Sequence, residues 1–308
     1  MLEKIKSFDQ LEALALQGEK QTLALAGADS EEALLAVEIA HKRGIINAIL
    51  VGDASKISEI FAKNGISKDD YTIEDVPDVR AATARAVALV REGRASLLMK
   101  GLVETSDFLR AVMNSETGIK TDRRMCSVAL LECRAKHRLI VLADVGTNIA
   151  PGIKEKADII TSCAEVAKAI GIEEPKAALL CAHEKVQPEA MPITAEAAIL
   201  SRMAERGQIP GGAIVDGPIS MDIAIDAHSS EIKRFGGKIH GDADILIAPD
   251  LEAGNILIKG LMYLTDNIRV AGVGMGAKAP LVLTSRGDDN ATKYYSIVLA
   301  SLISRQIG

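Results

Sequence analysis

Residues 22–53 read "TLALAGADSEEALLAVEIAHKRGIINAILVGD". Two apolar runs, "TLALAG" (22–27) and "NAILVGD" (47–53), flank a segment of different period. Inside it Ala33, Val37, Ala40 and Gly44 recur three or four residues apart, the spacing of one helix face. Asp29 followed by Glu32 has the form of a capping box and places the start of that helix. Strand, helix and strand in this order make a βαβ unit, whose two strands run parallel.

The same rhythm continues on both sides. A short helix is predicted over 57–64. Another carries Ala82, Ala86 and Leu89 and is ended by Gly93. "ASLLMKG" (95–101) reads as a strand, and Thr105, Ser106 and Asp107 as caps for a helix "FLRAVM" (108–113). Two adjacent strand signals, "CSVALLEC" (126–133) and "RLIVLAD" (138–144), predict a hairpin and a break in the rhythm. Helices at 162–170 and from Thr194 through Arg206 then alternate with strands at 176–182, 212–218, 243–250, 267–274 and 281–285. The closing helix places Tyr295, Val298, Leu299 and Leu302 on one buried face.

This alternation predicts the α/β class, with largely parallel sheets and helices on both faces. The hairpin marks a change of domain, and the last strand and helix return to the first one. Residues 1–122 with 276–308 form one domain, and 123–275 the other. Ligands of such sheets sit beyond the carboxyl ends of the strands, so the strand ends are where function is sought.

Composition narrows the classes. Of 308 residues 48% are apolar, 3% are aromatic, none is Trp, and the formal charge is −6. An acidic chain with few stacking side chains predicts no nucleic-acid and no membrane partner. "MLEKIKSFDQL" has no apolar stretch of leader length, which together with the lack of a spanning segment predicts a cytoplasmic protein. Cys126, Cys133, Cys163 and Cys181 lack metal-ligand spacing and read as reduced, structural thiols.

Four strand ends carry polar chemistry. In "MKGLVETSDFLR", Lys100, the hydroxyls of Thr105 and Ser106, and Arg110 surround a helix start, where free N–H groups favour an anion. The plainer account is a capped helix with a solvated arginine. "VDGPISMDIAI" offers Asp216 and Asp222, though Asp-Gly-Pro reads first as a turn. In "APDLEAGNILIKG", Asp250 ends a strand, Gly254 and Asn255 open a helix, and Lys259 follows. In "LTSRGDDN", Ser285 and Arg286 offer a hydroxyl and a guanidinium suited to a bidentate grip on an oxyanion. Gly287 keeps that place free of a side chain, and Asp288 and Asp289 stand at the helix start. "GVGMGA" (272–277) has the form of a dinucleotide fingerprint, but a strand rather than a helix follows, so it is rejected. Lysine, arginine, hydroxyl and amide groups without a metal cluster suit a phosphate-bearing substrate.

These segments, in their order and together with "GMGAKAPLVLTSRG", resemble the phosphate acetyl/butyryltransferase family. The resemblance covers most of the chain, is clearest after residue 95, and leans toward the butyryltransferases in length and in the "SRGDD" ending. It implies a two-domain architecture like that of isocitrate and isopropylmalate dehydrogenases, with the active site in a cleft between domains. It implies a homodimer or higher homo-oligomer. It implies reversible acyl transfer from acyl-CoA to inorganic phosphate, giving acyl phosphate and CoA, with no cofactor and no metal. By matching position, Ser285 and Arg286 become the catalytic serine and the phosphate-binding arginine, and Arg110 a second arginine of the site. Gly254, Asn255 and Lys259 match a motif that lines it; Lys100, Thr105, Ser106, Lys278 and Gly287 are the further candidate substrate contacts. The acetyltransferases carry an aspartate seven residues after the serine. Here that residue is Thr292, so Asp288, with Asp289 next, becomes the candidate base.

Two other functions compete. A metal-dependent dehydrogenase of the isocitrate type would use Asp216, Asp222 and Asp250 as ligands. A non-catalytic protein would bind CoA or acyl phosphate without turnover. The SRG and GNI segments occurring together favour the transferase.

Overall fold

The computed structural model describes residues 4–283 and 287–307. In chain order the elements are α1 (Phe8–Leu16), β1 (Gln21–Ala26), α2 (Glu31–Lys42), β2 (Ile46–Gly52), α3 (Ala54–Asn64), β3 (Thr72–Asp75), α4 (Val79–Arg91), β4 (Leu97–Lys100) and α5 (Thr105–Val112). There follow β5 (Cys126–Cys133), β6 (Arg138–Ala143), α6 (Ile153–Ala169), β7 (Lys176–Leu180), α7 (Pro192–Glu205), β8 (Ile214–Ile219), α8 (Met221–Ile225), α9 (Ala227–Ile232) and β9 (Ile245–Ile247). The chain closes with α10 (Leu251–Leu264), β10 (Ile268–Met275), β11 (Leu281–Val282) and α11 (Asn290–Ile307).

Two compact units result. A terminal unit comprises Phe8–Asp122 and Ala271–Gly308, and a central unit comprises residues 4–7 and Arg123–Val270. Strand β10 carries the chain from the second to the first.

In the terminal unit the strands follow the order β3-β2-β1-β4-β11, all parallel. The βαβ unit of residues 22–53 lies at its heart, with Leu23 opposite Ala48 and Leu25 opposite Leu50. Ser30, rather than Asp29, caps α2, its hydroxyl accepting from the Ala33 N–H at 3.4 Å. Strand β3 and helix α1 are additions to the pattern read from sequence. Phe8, Leu11 and Ala15 bury one stripe of α1, whereas β3 has no fully buried residue and so gives little apolar signal. Helix α11 is enclosed on most sides. Tyr294 is buried and Tyr295 only partly so, because the helix has no single inward face.

In the central unit the order is β5-β6-β9-β7-β8. The β5–β6 pair is the predicted antiparallel hairpin, closing at Cys133 opposite Arg138, and the other pairs are parallel. Helix α6 begins at Ile153, nine residues before the apolar spacing predicts, because Gly152 opens it and Glu155 returns to the Gly152 N–H at 2.9 Å. Strand β8 runs through Asp216, Gly217 and Pro218, where the tripeptide predicts a turn. Glycine is required there because a Cβ on Gly217 would meet the Leu179 Cβ at 2.6 Å. The "GVGMGA" segment ends β10 and turns at Gly276 (φ 98°) toward β11, with no helix following.

Candidate active site

The terminal unit carries most of the candidate residues. Lys100 ends β4 beside Ala26 of β1; its buried ammonium donates to the Val103 carbonyl at 3.3 Å. Gly101 must be glycine, since a Cβ there would lie 2.2 Å from the Gly27 carbonyl oxygen. The close approach lets the chain turn directly into α5. Glu104 precedes that helix without a side-chain cap bond, and Thr105 and Ser106 lie inside its first turn as exposed residues rather than as caps. First-turn N–H groups have no intrahelical acceptor, which favours an anion at this end.

Arg110 lies one turn further along α5. Its guanidinium pairs with the Asp107 carboxylate, which Arg80 also approaches, at 3.6 Å. The Arg110 side chain remains 70% exposed, so its remaining donors face solvent. Lys278 follows Ala277, its N–H bound to the Ile119 carbonyl at 2.9 Å and its side chain exposed.

Ser285 and Arg286, with Thr284, lie outside the described residues. The segment after them is anchored. Among the described residues, chain neighbours aside, no atom comes within 4 Å of a Cβ placed on Gly287. The Asp289 carboxylate accepts the Thr292 N–H at 2.7 Å and so caps α11. Lys293, which sequence alone does not single out, is buried, donating to the Asp288 carbonyl at 2.5 Å and to the Glu32 carboxylate at 2.9 Å. The Asp289 carboxylate therefore has a structural task.

The central unit contributes the start of α10. That helix opens at Leu251, three residues before Gly254, because the Asp250 carboxylate caps it by accepting the Ala253 N–H at 2.8 Å. Gly254 is buried, and a Cβ there would lie 2.1 Å from the Asp144 carbonyl oxygen. The Asn255 side-chain amide donates to the Val145 carbonyl at 2.9 Å. Lys259 is exposed, its ammonium 5.8 Å from the centre of the Tyr263 ring.

The partner of this helix start is a loop that motif reading misses. The buried Asp144 carboxylate accepts N–H bonds from Ser127, Gly146, Thr147 and Asn148, and also the Asn148 side-chain amide. One carboxylate thereby fixes the chain from Val145 to Asn148, and α10 is docked on that loop through Gly254 and Asn255. The sequence signal is Asp144 at a strand end followed by Gly146 and Asn148.

The three carboxylates of the dehydrogenase alternative have other partners. Asp216 accepts the Gly217 N–H at 2.9 Å and the Lys238 N–H at 2.5 Å. Asp222 accepts the Ser220 hydroxyl at 2.6 Å and pairs with Lys233 at 2.9 Å, and Asp250 is the cap of α10. Cys126 and Cys163 are fully buried, and burial pushes both thiols well up from their ordinary range, which suits packing and not nucleophilic attack.

A pocket of about 390 Å³ opens in the central unit at the ends of β7 and β9. Cys181, Met191, Ile193, Met221 and Leu257 are among its walls, and Asp250 and Ala253 of the α10 start stand at its side.

Comparison with known proteins gives the class and then the family. A solved branched-chain phosphotransacylase from Enterococcus faecalis V583 superposes with a TM-score of 0.80 at 32% identity, over 92% of this chain and 99% of that one. Phosphate butyryltransferase of Clostridium acetobutylicum is 44% identical over 97% of this chain and 99% of its own length. Phosphate acetyltransferase of Rhizobium meliloti is 41% identical over 85% of this chain and 82% of its own. The class is therefore acyl transfer to phosphate. Residues 68–301 match the phosphate acetyl/butaryl transferase model, and the chain belongs to that family.

Proposed function

We propose that the chain is a phosphate butyryltransferase-type enzyme, moving a butyryl or similar short acyl group reversibly between CoA and inorganic phosphate. The observation that carries this is the family match together with near full-length identity to a phosphate butyryltransferase. In this reading Arg286 and Arg110 bind the phosphoryl oxygens, aligning the anion with the acyl carbonyl and neutralising its charge. Ser285 donates a hydrogen bond to the oxygen that gains charge in the tetrahedral transition state. In the reverse direction Asp288 takes the proton of the CoA thiol. The exposure of Arg110 supports its place in this reading.

The remaining substrate contacts, from Lys100, Thr105, Ser106, Gly254, Asn255, Lys259, Lys278 and Gly287, belong to the same proposal. So do an isocitrate/isopropylmalate dehydrogenase-like architecture, transfer without a cofactor, a cytoplasmic setting and a homodimer or higher homo-oligomer. Ile256, Tyr263 and Leu264 on α10 are large apolar side chains left exposed, which supports self-association. A phosphate acetyltransferase is the second reading, favoured by the identity to the Rhizobium meliloti enzyme.

The deciding experiment is phosphate-dependent thiol release from acetyl-, propionyl-, butyryl- and isobutyryl-CoA. Butyryl-type substrates should give the highest kcat/KM. An acetyl optimum selects the second reading, and no release from any of them removes both.

A further inference from the structure

The apolar pocket at the ends of β7 and β9 has no task among the residues assigned so far. It opens at the carboxyl ends of parallel strands, where ligands of α/β sheets are held. Its volume of about 390 Å³ lies within the ~300–1,000 Å³ range of small-molecule sites. Two polar side chains among its walls already have tasks or partners. Asp250, at its side, caps α10. The Cys181 thiol faces the Ile193 carbonyl at 4.0 Å, and burial raises its pKa to about 11, so it lines the wall as a neutral group.

We propose that this pocket seats the aliphatic chain of the transferred acyl group, with Cys181, Met191, Ile193, Met221 and Leu257 as the residues that set chain length. This deepens the functional reading above and rests on it. Methylenes gain by leaving water for such walls, whereas the amide groups of a pantetheine arm would lose hydrogen bonds there. Two methionines and a cysteine are soft, adaptable neighbours that admit straight and branched chains alike. The first turn of α10 borders the pocket and also carries Gly254 and Asn255, so chain and site share one rigid element.

The test narrows the pocket by Ala253→Phe, and independently by Cys181→Leu, and measures kcat/KM for acetyl-CoA and butyryl-CoA. The butyryl-to-acetyl ratio should fall by about fifteenfold, the worth of two buried methylenes. An unchanged ratio overturns the proposal, whether both substrates suffer equally (the pocket then holds a part common to all acyl-CoAs) or neither suffers. In the unmodified enzyme, alkylation of Cys181, followed by peptide mapping, gives a second readout that needs no turnover. Butyryl-CoA should slow it and acetyl-CoA or free CoA should not; equal protection by all three, or by none, overturns the assignment. Absence of any phosphate-dependent transfer in the wild type would instead count against the functional reading, while Cys181 protection would still report on the pocket.

Discussion

The carbonyl oxygen of Asp144 lies 2.1 Å from the place a Cβ on Gly254 would occupy, so a strand-end loop and the start of α10 meet only because residue 254 has no side chain. Both contacting parts are backbone and cannot rotate away. Gly254→Ala should lower stability by about 1–3 kcal/mol, as overpacked sites do, and disturb activity with it. Urea unfolding checks the first and kcat/KM the second; wild-type values for both would mean that the docking is not needed.

Arg286→Ala should reduce turnover about a hundredfold or more, since an anion clamp of this kind is worth ~3 kcal/mol. Stability should hardly change, which circular dichroism melting would verify. Turnover within a factor of a few of wild type would remove the arginine from the mechanism.

Asp288 and Asp289 should separate cleanly. Asp289→Asn keeps an oxygen acceptor for the Thr292 N–H, and asparagine caps helices about as well as aspartate, so stability and activity should stay near wild type. Asp288→Asn should slow acylation of CoA by acyl phosphate most strongly. The reverse pattern would hand the role of base to Asp289.

Lys293 ties the Asp288 carbonyl to Glu32 from a buried position. Lys293→Met keeps the length of the side chain but leaves that carbonyl without its donor, at a cost of about 1–3 kcal/mol. Activity should fall further than stability does, because the tether adjoins the Gly287–Asp288 segment. Unchanged kcat in a folded variant would show the tether to be dispensable.

Acid should loosen the central unit at one identifiable place. The Ser220 hydroxyl, and then Lys233, hold the Asp222 carboxylate down from its usual 3.8 to about 2. A depressed folded-state pKa contributes stability that is present above the unfolded value and is lost as pH falls through the folded one. The loss from this group should therefore run from about pH 4 down to pH 2. Compared by urea midpoint, Asp222→Asn should be the weaker protein at pH 5 and match wild type near pH 2; parallel curves would refute the linkage.

The local pattern of residues 22–53 was enough to place a parallel βαβ unit, and the adjacent strand signals at 126–144 enough to place a hairpin. Periodicity carries such information because burial repeats with the helix or strand period. The same reasoning put the helix starts wrongly where a cap outside the apolar pattern decided them, at Ser30 for α2, Gly152 for α6 and Asp250 for α10. It missed β3, which buries too little to leave a pattern, and placed a turn where β8 continues.

For the function, the segments around Lys100, Gly254 and Arg286, taken in their order, resemble the family to which the chain belongs. Tertiary structure alone decided which of the described candidates have a structural task. Asn255 and Asp289 prove to hold backbone groups, and Asp144 and Lys293 emerge as the residues that fix the loops beside them. The physical reason is distance along the chain. The space that Gly254 must leave free, the acceptor of Asn255 and the carboxylate that pairs with Lys293 all belong to residues more than a hundred positions away, and no local period records which partner folding brings near.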